Sequence, residues 1–226
     1  MKSKTMKTLS IVLFAITAAM NLLGGIGTTC AAFISKFSSI LGVLDYQWLY
    51  QVFVVTTVLL GVAGIWGTVK LSRGGDKVFR NAVIILIIGV LVGGAHYFAS
   101  MQIRGAAAPA NVKFYINLVT LIFFLVLSIP GLKEKVDFTH GGSASDKGAG
   151  GIAAILSGGM TLSAFYWAAP SHTYQGVNWV ELLDLSLFVL GFGFLAVGIG
   201  LVASAAWEKV QQNKRAEIQV DVSYQE

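Results

Sequence analysis

The chain has 226 residues, of which 55% are hydrophobic and only 12% charged, with a formal net charge of +5. A water-soluble domain normally carries about 25% charged residues, so this composition, with a mean hydropathy of +0.73, argues against a soluble globule. No stretch between apolar blocks is long enough for a separate domain, which argues against a self-contained enzyme acting on soluble substrates.

Six apolar blocks follow in chain order: Leu9 to Ile34, Tyr46 to Val69, Val83 to Met101, Phe114 to Ile129, Ala149 to Ala169 and Leu185 to Trp207. A helix rising 1.5 Å per residue needs about 20 apolar residues to cross a hydrocarbon layer of about 30 Å. The fold class expected is therefore all-α, a polytopic membrane protein of six transmembrane helices. The first block follows Lys2, Lys4 and Lys7 but is too long for a signal-peptide core, so it is expected as an uncleaved span. The fourth is short, and Lys113 and Lys133 are expected to snorkel from its ends. The fifth is rich in Gly and Ser, and a re-entrant or partly unwound segment is an alternative to a full crossing there.

Four helices over 1–136, a flexible linker over 137–148, two helices over 149–207 and a polar tail over 208–226 make up the expected organisation. The linker reading rests on His140-Gly141-Gly142-Ser143-Ala144-Ser145. No internal repeat relates the two parts, so an inverted-repeat transporter finds no support.

Lys and Arg set the expected orientation. Lys2, Lys4, Lys7, Lys70, Arg73, Lys77, Arg80, Lys133, Lys135, Lys147, Lys209, Lys214 and Arg215 fall on one side of such a six-span chain, and only Lys36, Arg104 and Lys113 on the other. The positive-inside rule puts both termini in the cytoplasm, in the cell membrane. Basic residues grouped in this way speak for a lipid bilayer as partner and against nucleic acid.

Small residues recur at helix-packing intervals: Gly61, Gly64 and Gly67, then Gly89 and Gly93, then Ala154 and Gly158, and finally Ala196, Gly200 and Ser204. In lipid, such stripes let backbones approach closely. Packing within the bundle is the first expectation for each, and a seam for another subunit or a second copy the alternative for the last two.

Candidate chemistry is sparse. The block cores contain no Asp, Glu, Lys or Arg, whereas ion-coupled transporters and pumps generally place such groups at membrane depth. His96 with Tyr97 is a possible proton or quinone site, and an interfacial histidine bonded to a carbonyl is the plainer account. His172, Glu181 and Asp184 form a possible acidic patch on the outer face, although helix-dipole complementarity alone explains the two acids. Asn21, Thr56 and Asn117 could line a polar path, or simply make interhelical hydrogen bonds. The single cysteine, Cys30, excludes an internal disulfide and a cysteine metal cluster. No nucleotide, zinc or nucleophile motif occurs, and no metal or cofactor is expected; two-histidine haem ligation lacks a second histidine at the depth of His96.

The leading expectation is a non-catalytic subunit or assembly protein of a larger membrane complex. The alternative is a small transporter or channel-like protein for a neutral or weakly polar solute. A weaker third option is a lipid- or quinone-handling protein using His96.

Overall fold

The computed structural model describes residues 4–223 apart from 109 and 142, and the side chains of these apart from 171 and 216–223. Lys2 of the basic start, Gly142 of the expected linker and the last three residues of the tail lie outside the described residues. The described chain is almost wholly helical, with five helices long and apolar enough to cross a membrane.

Helix α1 (Lys4–Phe33) carries a long apolar run whose hydroxyls are satisfied internally. Ser10, Thr17 and Thr28 each donate to the carbonyl one turn back, which lets them sit inside an apolar bundle. A short helix α2 (Ser35–Ile40) and a 3-10 turn at Leu44–Tyr46 lead into α3 (Gln47–Arg73). Helix α3 stops at Gly74, whose φ of 80° suits glycine, after Lys70 and Arg73 have placed positive charge at the negative end of its dipole. Helix α4 (Val78–Arg104) ends at Gly105 in the left-handed conformation, its N–H bonded to the Met101 carbonyl. Helix α5 (Ala110–Leu127) is followed by the single turn α6 (Pro130–Lys133).

Helix α7 (Ala144–Leu162) starts from a capping box in which Ser143 and Asp146 satisfy each other's backbone N–H groups. It ends at Ser163. Two single turns, α8 (Ala164–Trp167) and α9 (Ala169–His172), and a two-residue-per-strand hairpin, Thr173–Tyr174 with Val177–Asn178, then carry the chain to α10 (Asp184–Ser223). The hairpin turn, Gln175–Gly176, has φ of 52° and 76°, as a type I′ turn requires.

The fifth expected span is thus the one that does not qualify as a membrane-crossing helix: α7 is apolar only in its second half, and the remainder of the Ala149 to Ala169 block is broken. The other five expected spans coincide with the candidate crossings Lys4–Phe33, Leu44–Arg73, Val78–Arg104, Ala110–Leu127 and Trp179–Arg215. The small hairpin qualifies the all-α expectation without altering the fold class.

Helix α1 is the axis of the bundle. It packs against α3, α5 and α7, while α4 closes against α3 and α5, and α10 lies along α7. We call the end that carries Lys4 basal and the opposite end distal. At the α1–α3 seam, Gly61, Gly64 and Gly67 face Leu22, Ala18 and Phe14. A Cβ added to Gly64 would lie 2.6 Å from Ala18 Cβ, so the bare backbones provide the close approach.

At the basal end Lys7 donates to the Asp146 carboxylate at 3.0 Å and to the His140 carbonyl at 2.6 Å, tying α1 to the start of α7. Gly141 lies against Arg73 and Gly74, and the Gly75 N–H bonds the Phe138 carbonyl. Next to them a core forms around Phe14, Leu86, Phe124 and Phe138.

Candidate functional site

Three residues of α1 and three of α5 build a polar column through the interior. On α1, Thr17, Asn21 and Gly24 share one face at helical spacing; on α5, Lys113, Asn117 and Thr120 do the same. The helices run antiparallel, so each step up one is matched by a step down the other. Thr17 Oγ1 and Thr120 Oγ1 are 2.8 Å apart. Asn117 donates to the Asn21 carboxamide oxygen at 2.9 Å, and Asn21 donates back at 3.3 Å. The Lys113 stem crosses the notch left by Gly24, and its ammonium donates to Thr57 Oγ1 of α3 at 2.9 Å. On the far side, Gly89 of α4 leaves room for the Asn117 amide, and Gly93 for the backbone of Phe114.

Lys113 corrects the expectation from sequence. It is 1% exposed and does not snorkel, and Thr57 lies roughly 15 Å along α3 from its start. An ionisable group therefore does stand within the bundle. Among the described residues no carboxylate pairs with it. The missed signal was the spacing of Lys113, Asn117 and Thr120, which puts the lysine on the same stripe as Asn117, already read as a polar contact.

Above the column, His96 of α4 stacks on Phe53 with ring centres 4.4 Å apart and meets Tyr50 edge-on at 5.5 Å. Its Nδ1 is buried without a hydrogen-bond partner. Tyr50 Oη and Ser100 Oγ are 3.2 Å apart. His96 lines a cavity of about 20 Å³ together with Thr28, Tyr50, Arg104, His172 and Tyr174. A second, apolar cavity of about 60 Å³ lies between α1, the α8–α9 segment and α10, and shares Gly27 and His172 with the first; Lys113 lines it too. His172 is buried, its Nδ1 3.0 Å from the Ala168 carbonyl. Burial above all, aided by the charge of Arg104, holds its imidazole below the usual histidine range, and hydrogen bonds to the Ala168 and Gly27 backbone oppose this only in part.

No protein-family model, curated protein or solved structure matches this chain.

The other expected sites sort themselves by that geometry. Asn21 and Asn117 meet, but Thr56 is only half-buried and bonds back to the Val52 and Phe53 carbonyls of its own helix. Its neighbour Thr57 takes the place in the column expected of Thr56. His96 and Tyr97 diverge: the histidine turns to α3, whereas Tyr97 stacks on Phe114 of α5 at 5.6 Å. Glu181 and Asp184 are exposed at the distal end. Asn178 donates to Glu181 at 3.3 Å, and Asp184 accepts from the N–H of Leu185. His172 turns inward instead of joining them, so no acidic patch with a histidine assembles. His172, expected in a loop and not at the depth of His96, in fact shares its cavity, although about 20 Å³ is far too small for haem. No group of three potential metal ligands occurs among the described residues.

Of the small-residue stripes, Gly89 and Gly93 are buried against α5. Gly158 packs on Gly191 and Leu195 of α10, with Gly151 against Gly198 and Val202. Ala196, Gly200 and Ser204 have no such partner helix among the described residues. They are exposed, because the α7-facing side of α10 is the one carrying Gly191 and Gly198.

Proposed function

We propose that this chain is a small membrane protein that binds a polar solute inside its helical bundle and conducts it across the bilayer. The burial of Lys113 at Thr57, without a carboxylate partner among the described residues, carries the reading. Ionisable groups within a membrane bundle are costly and mark solute or proton pathways. The lack of charged residues in the apolar blocks speaks against transport, and the buried Lys113 offsets it. The column beneath provides further exchangeable donors and acceptors, and the break after α7 brings the α8–α9 backbone to the distal cavities. A buried ammonium also favours a more polar cargo than the neutral solute expected from sequence.

Reconstitution into vesicles tests this, with efflux of chloride, acetate, glycerol and urea followed in parallel. At least one should leave faster than from protein-free vesicles, and Lys113→Met should abolish the difference. Undiminished flux in Lys113→Met would sink the reading.

The topology proposed with it has six crossings, α7 being the sixth, and both termini in the cytoplasm of a cell with this protein in its plasma membrane. The clustering of Lys4, Lys7, Arg73, Arg80, Lys147 and Lys209 toward the basal end supports it. In a Cys30→Ala background, a cysteine at Ser145 should resist an impermeant thiol reagent added outside intact cells; prompt labelling would reverse the orientation.

A second reading, membership of a larger complex or a homo-oligomer, is favoured by one observation: the apolar stretch of α10 is only 17% buried, against 56% for α1. Its free side carries Gly193, Ala196, Gly200 and Ser204, small enough for another helix to approach. A strictly monomeric species after gentle solubilisation, with no co-purifying chain, counts against it.

A further inference from the structure

In the distal part of the bundle Arg104 and Lys113 have no carboxylate partner among the described residues. Arg104 makes one hydrogen bond, from Nη2 to the Ala108 carbonyl at 3.2 Å, and no ion pair among the described residues. Lys113 donates to Thr57 and to no carboxylate among the described residues. His96, 2% exposed, keeps Nδ1 without a partner. Among the described residues no Asp or Glu lines either of the two adjoining cavities, and Asp45, Glu181 and Asp184 are exposed. Arg104, half-buried and lining one of these cavities, is a permanent cation that attracts a counter-ion there.

We infer that the cavity between His96, Arg104 and His172 is a binding site for a small monovalent anion, of halide size or the carboxylate group of a short acid. Size and chemistry both restrict the occupant. By the same measure a single water needs about 10–15 Å³, so a cavity of about 20 Å³ admits a dehydrated halide or one carboxylate group but no phosphate ester. Arg104 presents a planar fork of donors suited to a carboxylate, and His96, Tyr50 and Tyr174 add polar groups around it. A metal cation is disfavoured there, because no carboxylate among the described residues lines the cavity to offset the charge of Arg104. The apolar cavity that shares Gly27 and His172 would take the tail of a short organic acid, so halide and carboxylate are two sources of one chemistry.

This inference rests on the solute-binding reading and names the class of solute. Binding is measured on the full-length protein in detergent, in gluconate buffer at constant ionic strength, by thermal denaturation during titration with sodium chloride, sodium acetate or sodium sulfate. Chloride or acetate should raise the melting temperature saturably and sulfate should not; whichever of the two acts identifies the source. Arg104→Gln should weaken that binding about tenfold or more, with Arg104→Lys retaining part of it. Where Arg104→Gln fails to fold, His172→Gln takes its place and should weaken binding as well. Absence of a saturable shift with both chloride and acetate, or wild-type affinity in the arginine and histidine variants, overturns the site. Vesicle flux separates the two ideas: glycerol or urea efflux without anion binding leaves the transport reading standing and removes the anion, whereas anion binding without flux of any solute does the reverse.

Discussion

Helices α1 and α10 look alike as sequence, each a long apolar run with glycines and alanines, yet they occupy opposite situations. Helix α1 is surrounded by α3, α5 and α7 and presents Thr17, Asn21 and the Gly24 notch to partners on α5. Helix α10 touches α7 along one side and leaves the other open. Polar residues inside the run make the difference. A hydroxyl or carboxamide in an apolar helix must find a partner, whereas Ala196 and Gly200 demand nothing and are stable against lipid or against another helix.

That contrast can be broken or sharpened by substitution, and the largest effect is expected at the basal end of α1. Lys7→Met leaves Asp146 without its cation in a site where both side chains are 10% exposed or less. Removing one partner of such a buried pair costs roughly 3 kcal/mol, read as a fall in melting temperature of the detergent-solubilised protein. An unchanged melting temperature would show that this tie between α1 and α7 adds nothing.

Next comes the α1–α3 seam, where Gly64→Leu must displace Ala18, including its backbone. About 2 kcal/mol of overpacking is expected, with reduced yield of folded protein. Asn117→Leu should cost about 1 kcal/mol through the stranded Asn21 amide, and the double variant with Asn21→Leu should recover part of it, measured as a double-mutant cycle.

A smaller, pH-dependent effect is expected at His172. Its imidazole is held neutral in the fold below its usual range, so the unfolded chain takes up a proton first as pH falls. The stability His172 contributes is therefore complete above the unfolded value near 6.5 and declines as pH drops below it. Melting temperature should fall between pH 7.5 and pH 5, and His172→Gln should flatten the trend; an equal slope in that variant would assign the dependence elsewhere. The smallest effect belongs to α10. A Cβ at Gly200 meets nothing within 4 Å, so Gly200→Leu should change monomer stability by less than about 0.5 kcal/mol, while disrupting any oligomer that uses this face.

Much of this architecture could be read from residue order. Blocks of about 20 apolar residues can only be helices in lipid, because every backbone N–H and carbonyl must bond within its own segment. Five of the six blocks met that condition; the block from Ala149 did not, since Gly150, Gly151, Gly158 and Gly159 dilute its hydropathy and Ser163 ends its helix. The site was less legible. Asn21 and Asn117 were recognisable as polar groups in apolar helices, but nothing in their positions states that they meet. Lys113 stands in the first turn of α5, where a lysine reaches either outward to the interface or inward past a gap. The gap is Gly24, 89 positions earlier in a different helix.

Periodicity and composition, which are properties of local segments, therefore determined the membrane class, the helical blocks and the inventory of polar groups. Tertiary structure decided which of those groups share a wall: Thr57 in preference to Thr56, His172 beside His96, Gly191 and Gly198 toward α7 and Gly200 away from it. Rotation of a helix about its own axis leaves its hydropathy unchanged but exchanges the residues facing the interior, and only packing against neighbours selects one orientation.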